Sequence, residues 1–268
     1  MLYKYFPTER VNVLQNLAIR FSPLASLNDP YESLPLVEFH EKKAILAEFE
    51  EELRQHVEEN PDSPELHGKD VEETIKGLVS ELGEEFSESV HGEELLEKLT
   101  DRFCVLSLSR SKDNLLMWSH YASEGKGYMI SFYDDHDFFH ERSASGEILG
   151  PIPVVYSKTR PVVKSNEEKI HEKLFSRKPL DWAYEEEERL FRVYRFDSDV
   201  FGVDSYGKDV RLSSLPKDVI SGIYIGYNAS DDTVTDLLEA VKNNKLECPV
   251  YKASLHPKEY RILFDEIT

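Results

Sequence analysis

No uninterrupted apolar run in this sequence approaches the roughly 20 residues that a bilayer-spanning helix needs, so no helical membrane anchor is expected. The opening residues Met1-Leu2-Tyr3-Lys4-Tyr5-Phe6 lack the basic and then apolar regions of an export signal and read instead as a strand. Cysteine is scarce. Cys104 and Cys248 both lie in apolar, strand-like runs, which excludes a disulfide framework and fits a reduced, cytoplasmic setting. Positive charge is also short: 32 Lys and Arg against 52 Asp and Glu give a formal net charge of -20. Such a molecule repels phosphate backbones as a whole, so no nucleic-acid partner is expected except through a local basic groove. There is no CxxC or H-E-x-x-H pattern, no G-x-S-x-G elbow, and no glycine-rich βα turn of the P-loop or dinucleotide type. These absences remove the common zinc, serine-hydrolase and doubly wound nucleotide-binding signatures.

What is present is enough for a sizeable core, with 40% hydrophobic content over 268 residues. The reading is one α+β domain over 1–268, with an acidic helical hairpin inserted at 38–100. Apolar stripes at Ile45, Leu46, Phe49 and Leu53, and at Ile75, Leu78, Leu82, Phe86, Leu95 and Leu99, predict helices over 38–59 and 71–99, broken by Asn60-Pro61-Asp62-Ser63-Pro64. Outside the hairpin, β-branched and aromatic runs predict strands over 2–6, 103–109, 127–132, 153–157, 182–193, 219–226 and 249–253. Ser165-Asn166-Glu167-Glu168 has the form of a capping box for a helix ending before Pro179, and Ser230-Asp231-Asp232 caps a second over 233–241. The irregular spacing points to a mixed, mainly antiparallel sheet core with flanking helices.

Three segments carry candidate chemistry. Asn28-Asp29-Pro30-Tyr31-Glu32 reads as a helix cap with Pro at the first helical position, and a helix N-terminus also presents free N–H groups to anions. Asn114 to Ala122 reads as a short helix with Met117, His120 and Tyr121 on one face and Trp118 and Ala122 on another. His120 is either a hydrogen-bonded core histidine or a proton donor and acceptor. Asp134-Asp135-His136-Asp137 with His140 offers metal-ligand spacing, but an acidic helix start accounts for it better. The third segment runs from Trp182 to Arg192. Read as a strand, it sends Glu185, Glu187, Arg189 and Phe191 to one face and Glu186, Glu188, Leu190 and Arg192 to the other. Arg177, Lys178 and Trp182 approach it. The row is either an ion-pair ladder or a pocket wall suited to phosphates and rings.

The order of segments carries a family resemblance. Leu2-Tyr3-Lys4-Tyr5, Phe21-Ser22-Pro23, Leu27 to Glu32, Cys104 to Ser109, Met117 to Ala122, Gly125-Lys126-Gly127-Tyr128, and Trp182-Ala183-Tyr184-Glu185-x-Glu187-x-Arg189 follow one another. In this the chain resembles a bacterial domain-of-unknown-function family, DUF2971. Glu188 stands where that family often places an aromatic, and Phe6 where a polar or basic residue is expected. More distantly, the order is similar to that of ADP-ribosyltransferases, although their Ser-Thr-Ser segment is absent. That resemblance implies that Glu187 stabilises an oxocarbenium ion on the nicotinamide ribose, that Glu185 orients the acceptor, and that Tyr3, Lys4 and His120 hold NAD.

The resulting expectation is an enzyme acting on a nucleotide-containing substrate, by ADP-ribosyl transfer or NAD cleavage. Its catalytic candidates are Glu187, Glu185, His120 and Arg189; its substrate-binding candidates are Tyr3, Lys4, Asn28, Asp29, Trp118, Tyr121, Lys178, Trp182 and Tyr184. Two alternatives stand beside it. One is a non-enzymatic recognition module in stress or phage defence, with the acidic hairpin as protein-partner surface. The other is a metal-assisted phosphoester hydrolase with His120, Glu185 and Glu187 as ligands.

Overall fold

The computed structural model describes residues 1–29, 31, 36–38, 42–59, 70–85, 103–142, 148–164, 173, 175–193 and 200–268. The chain divides into two compact units, one made of Met1–Ser33, Thr100–Thr159 and Phe175–Thr268, the other of Leu34–Leu99 and Arg160–Leu174. In the second unit, helices Lys42–Glu59 and Val71–Glu85 pack together, and Arg54 ion-pairs with Glu72 and with Glu50 at 2.8 Å. Strand Leu36–Glu38 runs parallel to Val162–Lys164, so the first helix starts at Lys42 rather than at Glu38. Residues 86–99 of the expected second helix lie outside the described residues, as does the capping box at 165–168.

The first unit is α+β. Its main sheet runs in the order Ile262–Glu266, Val250–Leu255, Ile220–Ile225, Tyr128–Phe132, Leu2–Phe6, Phe103–Ser109, Glu187–Val193 and Ile152–Pro153, with Ser22–Pro23 also paired to Phe103–Ser109. All pairings are antiparallel except Ile220–Ile225 with Val250–Leu255, which are joined by helix Asp231–Asn244. That helix has the Ser230 cap the sequence placed, with Ser230 Oγ accepting from Thr233 N at 3.2 Å, but runs from Asp231 to Asn244 rather than over 233–241.

Alternation gives the sheet two buried faces. Leu2, Leu106, Leu108, Ile130, Phe132, Leu190, Ile223 and Ile225 form one, packed with Leu14, Leu237 and Ala240 from helices Asn12–Asn16 and Asp231–Asn244. Tyr5, Met129 and Ala253 form the other, packed with Met117, Trp118 and Ala122 of helix Leu115–Tyr121. Asn114 caps this helix, accepting from Leu116 N at 2.9 Å, and also donates to the Tyr184 carbonyl at 3.2 Å. The return to the sheet is tight: a Cβ on Gly127 would lie 2.1 Å from the Phe6 carbonyl oxygen, and Gly125 has φ +75°. Among the described residues no helix is long and apolar enough to cross a membrane.

Two expected elements are corrected. Arg177–Pro179 is a short strand parallel to Val155–Ser157, not a helix end. The strand expected from Trp182 begins only at Glu187: Leu180–Glu185 forms a 3-10 helix, and Glu186 turns left-handed at φ 44°. A charged run with aromatic residues at its head satisfies the strand pattern on paper. Pro179 at the helix entry and the reversal at Glu186 break it in space.

Candidate functional site

Strand Phe103–Ser109 pairs along its whole length with Glu187–Val193, but on its other edge meets Leu2–Phe6 only at Tyr3↔Ser109 and Ser22–Pro23 only at Val105 and Cys104. The sheet therefore opens beside the middle of Phe103–Ser109. A partly open cavity of about 160 Å³ occupies this region, lined by both strand edges, by Asn28, by Met117 and Tyr121, and by Lys178, Glu185, Glu187 and Arg189.

One wall is an ion cluster taken out of water: Arg189 is 0% exposed, Glu185 3%, Glu187 5% and Lys178 7%. Arg189 grips both oxygens of Glu187, Nε to Oε1 at 2.9 Å and Nη2 to Oε2 at 3.1 Å, and Nη1 donates to the Phe175 carbonyl. Lys178 Nζ bridges the two carboxylates, 2.6 Å from Glu185 Oε2 and 3.0 Å from Glu187 Oε2. The Tyr121 hydroxyl donates to the remaining Glu185 oxygen, and its own oxygen accepts from Asn28 Nδ2 at 3.2 Å. Two cations and two carboxylates make the cluster neutral, the arrangement that makes burial of four charges tolerable. Burial opposes ionisation of Glu187, but Arg189, Lys178 and the Ser107 hydroxyl outweigh it and hold the carboxyl at about 2. For Lys178 the two carboxylates outweigh burial and raise the pKa above its ordinary value. Trp182 stands against Lys178, with Nζ 5.1 Å from the indole centroid.

The opposite wall is different. By alternation Lys4 belongs with Leu2 and Phe6, yet its Nζ reaches the Ser107 carbonyl at 2.8 Å and lines the cavity. Burial pushes its pKa down to about 8 against the opposing pull of Glu187 and Glu185. Tyr3 and Tyr5 stand beside it, the Tyr5 hydroxyl donating to the Ser111 carbonyl at 2.8 Å.

Of the residues singled out from the sequence, Tyr3, Lys4, Asn28, Tyr121, Lys178, Glu185, Glu187 and Arg189 come together at this cavity. Five do not line it. His120 is exposed, with Nδ1 2.9 Å from the Tyr184 hydroxyl, so it is not the core histidine that its aromatic neighbours suggested. Tyr184 is occupied by that contact. Trp118 is completely buried, donates Nε1 to the Lys112 carbonyl at 2.9 Å and meets Tyr5 edge-on, which makes it a packing residue. Trp182 meets the site through Lys178. Asp29 is buried and accepts from Tyr31 N at 2.9 Å, a bond to the second residue on; Pro30 and residues 32–35 lie outside the described residues.

The expected metal ligands do not assemble, because His120 bonds to Tyr184 while Lys178 holds both carboxylates, Arg189 grips Glu187 and Tyr121 donates to Glu185. His136 and His140 also have local roles: His136 Nδ1 accepts from Phe138 N at 3.0 Å, and His140 Nε2 lies 2.8 Å from the Asp134 carbonyl. Among the described residues no group of three or more His, Cys, Asp and Glu is placed to hold a metal ion. Glu188, on the other face of its strand from Glu187, pairs with Arg110 Nε at 2.6 Å.

Sequence reasoning missed three supporting groups. Ser109 Oγ donates to the Glu185 carbonyl at 2.6 Å, Ser107 supplies the carbonyl for Lys4 and a hydroxyl for Glu187, and Tyr156 Oη accepts from Glu187 N at 2.8 Å. The two serines left a signal, as polar residues alternating in an otherwise apolar strand. Tyr156 left none.

As a class, then, this is an α+β protein whose sheet opens at a ligand-sized cavity backed by a buried, neutralised ion cluster. Residues 117–190 match the model of the family described as "Protein of unknown function (DUF2971)", which bears out the family resemblance over the stretch that supplies Met117, Tyr121, Lys178, Glu185, Glu187 and Arg189. No curated protein and no solved structure matches the chain.

Proposed function

We propose that the chain is an enzyme acting on a nucleotide-containing substrate, with the cavity receiving one ring of it. The volume, about 160 Å³, is close to the roughly 150 Å³ of a cavity known to accept benzene, so one ring fits and a whole dinucleotide does not. Around it stand tyrosine rings, and Lys4 adds a positive charge to a cluster that is otherwise neutral. The observation that carries the reading is this surplus ammonium beside aromatic walls, a combination suited to a ring bearing an anionic group.

ADP-ribosyl transfer or NAD cleavage is the concrete reaction, with the nicotinamide end in the cavity and Glu187 as the group that meets positive charge developing on the ribose. Because Arg189 and Lys178 already hold Glu187, it acts as the fixed pole of a cluster, and its effect on the reaction is smaller than that of a free carboxylate. Calorimetry with NAD, ADP-ribose and nicotinamide, alongside chromatographic assay of NAD consumption, tests the proposal. If none of the three binds, the nucleotide reading is lost.

The complete pairing of Glu185, Glu187 and Arg189 favours a second reading, a recognition module in stress or phage defence in which the cluster is scaffold and the acidic helices are the partner surface. Replacing 38–100 by a short linker would then abolish partner binding and leave the first unit folded. Retained partner binding by that variant excludes it.

A further inference from the structure

We propose that Lys4 forms an imine with a carbonyl carbon of the ligand, which makes the cavity a site for a ring-sized aldehyde or ketone. The proposal rests on the preceding reading only in taking the cavity as a ligand site; it adds the reacting atom and the functional group that atom selects.

Two lysines, Lys4 and Lys178, line the cavity. Lys178 Nζ is bound by two carboxylate oxygens, so it is locked as an ammonium. Lys4 Nζ donates to the Ser107 carbonyl, and among the described residues no carboxylate lies within ion-pair distance of it. A backbone carbonyl accepts more strongly from an ammonium than from a neutral amine but can accept from either, so Lys4 is not fixed as an ammonium in the way that the two carboxylates fix Lys178. Burial then favours the neutral amine and brings Lys4 down to about 8, while Glu187 and Glu185 oppose the shift and Lys178 and Arg10 assist it. A neutral amine carries a free lone pair, and the adjoining space holds one ring between Tyr3, Tyr5 and Met117.

The step balances without an oxidant or reductant. The Lys4 lone pair forms the N–C bond as the carbonyl π electrons move to oxygen, and one amine proton passes to that oxygen to give a carbinolamine. The C–O bond then breaks, the oxygen leaves as water with the second amine proton, and nitrogen and carbon are left double-bonded. Protonated, the imine nitrogen keeps its hydrogen bond to Ser107, and the negative charges of Glu187 and Glu185 favour that form.

The test uses the full chain near neutral pH with 4-carboxybenzaldehyde, a ring with a carbonyl and an anionic group. Sodium cyanoborohydride supplies the hydride that turns any imine into a stable amine, and fragment spectra separate label on Lys4 from label on the Met1 α-amine. Lys4 should be labelled at least about tenfold faster than exposed Lys112 and Lys126, because far more of it is neutral. An excess of 4-carboxybenzyl alcohol, which fills the same space without a carbonyl, should protect Lys4 and spare the other two. Equal labelling of the three lysines overturns the imine. Calorimetry with the alcohol separates the two levels of argument: binding without preferential label removes the imine and keeps the ligand site, whereas neither binding nor label removes both.

Discussion

The cavity has two walls built on opposite principles. On the Lys178 side, four charged groups are buried and each is matched, so that the carboxyl of Glu187 is held low and the amine of Lys178 is held high. On the Lys4 side, a single ammonium meets a carbonyl oxygen and its pKa falls to about 8. Two lysines a short distance apart thus shift in opposite directions, and the cause is the presence or absence of a carboxylate partner rather than burial, which acts on both. Rigidity belongs to the first wall and reactivity to the second.

The largest effect should come from opening the matched wall. Arg189→Leu leaves Glu187 with Lys178 and the Ser107 hydroxyl and strips the Phe175 carbonyl of a donor, and urea unfolding should register a loss of about 3–5 kcal/mol. Acid acts on the same wall. Glu187 has a folded pKa below its unfolded one, so its stabilisation is complete above pH 4.5 and is lost as pH falls towards 2, by about 3 kcal/mol. Thermal melts across that interval, compared with those of Glu187→Gln, should show the slope flattening in the variant.

The contrast itself is sharpened by a matched pair of substitutions. Lys178→Met strands part of the charge on two carboxylates and should cost about 2–3 kcal/mol, whereas Lys4→Met removes one hydrogen bond together with a poorly solvated cation and should cost about 1 kcal/mol. Lys4 gives a pH dependence of the same sign as Glu187 in a separate, alkaline window, because each has a folded pKa below its unfolded one. Its folded form sheds the proton first, so stability should rise between about pH 8 and 10.5 in the parent, and rise less in Lys4→Met. Equal losses in the two methionine variants would erase the distinction between the walls. The smallest effect is expected outside the cavity, where His120→Phe should alter stability by no more than about 0.5 kcal/mol.

Much of this was legible in the chain before its structure. The β-branched and aromatic strands at 2–6 and 103–109 stand where the pattern placed them, and Ser230 caps its helix. Alternation from Glu187 onward also holds, with Arg189 and Leu190 buried on opposite faces. What failed did so for local reasons. The pairing of Glu185 with Glu187 on one wall was expected from a continuous strand, but a left-handed turn at Glu186 produces it. His120 was given a role from its neighbours in sequence, whereas Asn114 and Tyr184 set where its helix points. Several residues of the cavity wall were legible but its place in the sheet was not, since it exists where two strands stop pairing, and periodicity describes pairing rather than its end.

The central position of Leu2–Phe6 has a consequence for how the molecule forms. Its neighbours are Phe103–Ser109 and Tyr128–Phe132, and Lys4 meets Ser107 across 103 positions of sequence, so the middle of the sheet closes only after loops of about a hundred residues have been drawn together. Folding of the first unit is therefore expected to be slow and late-committing, governed by long-range pairing rather than by its short helices. The amine and the ion cluster come from segments that no isolated fragment contains, so the cavity appears in one step with the completed sheet.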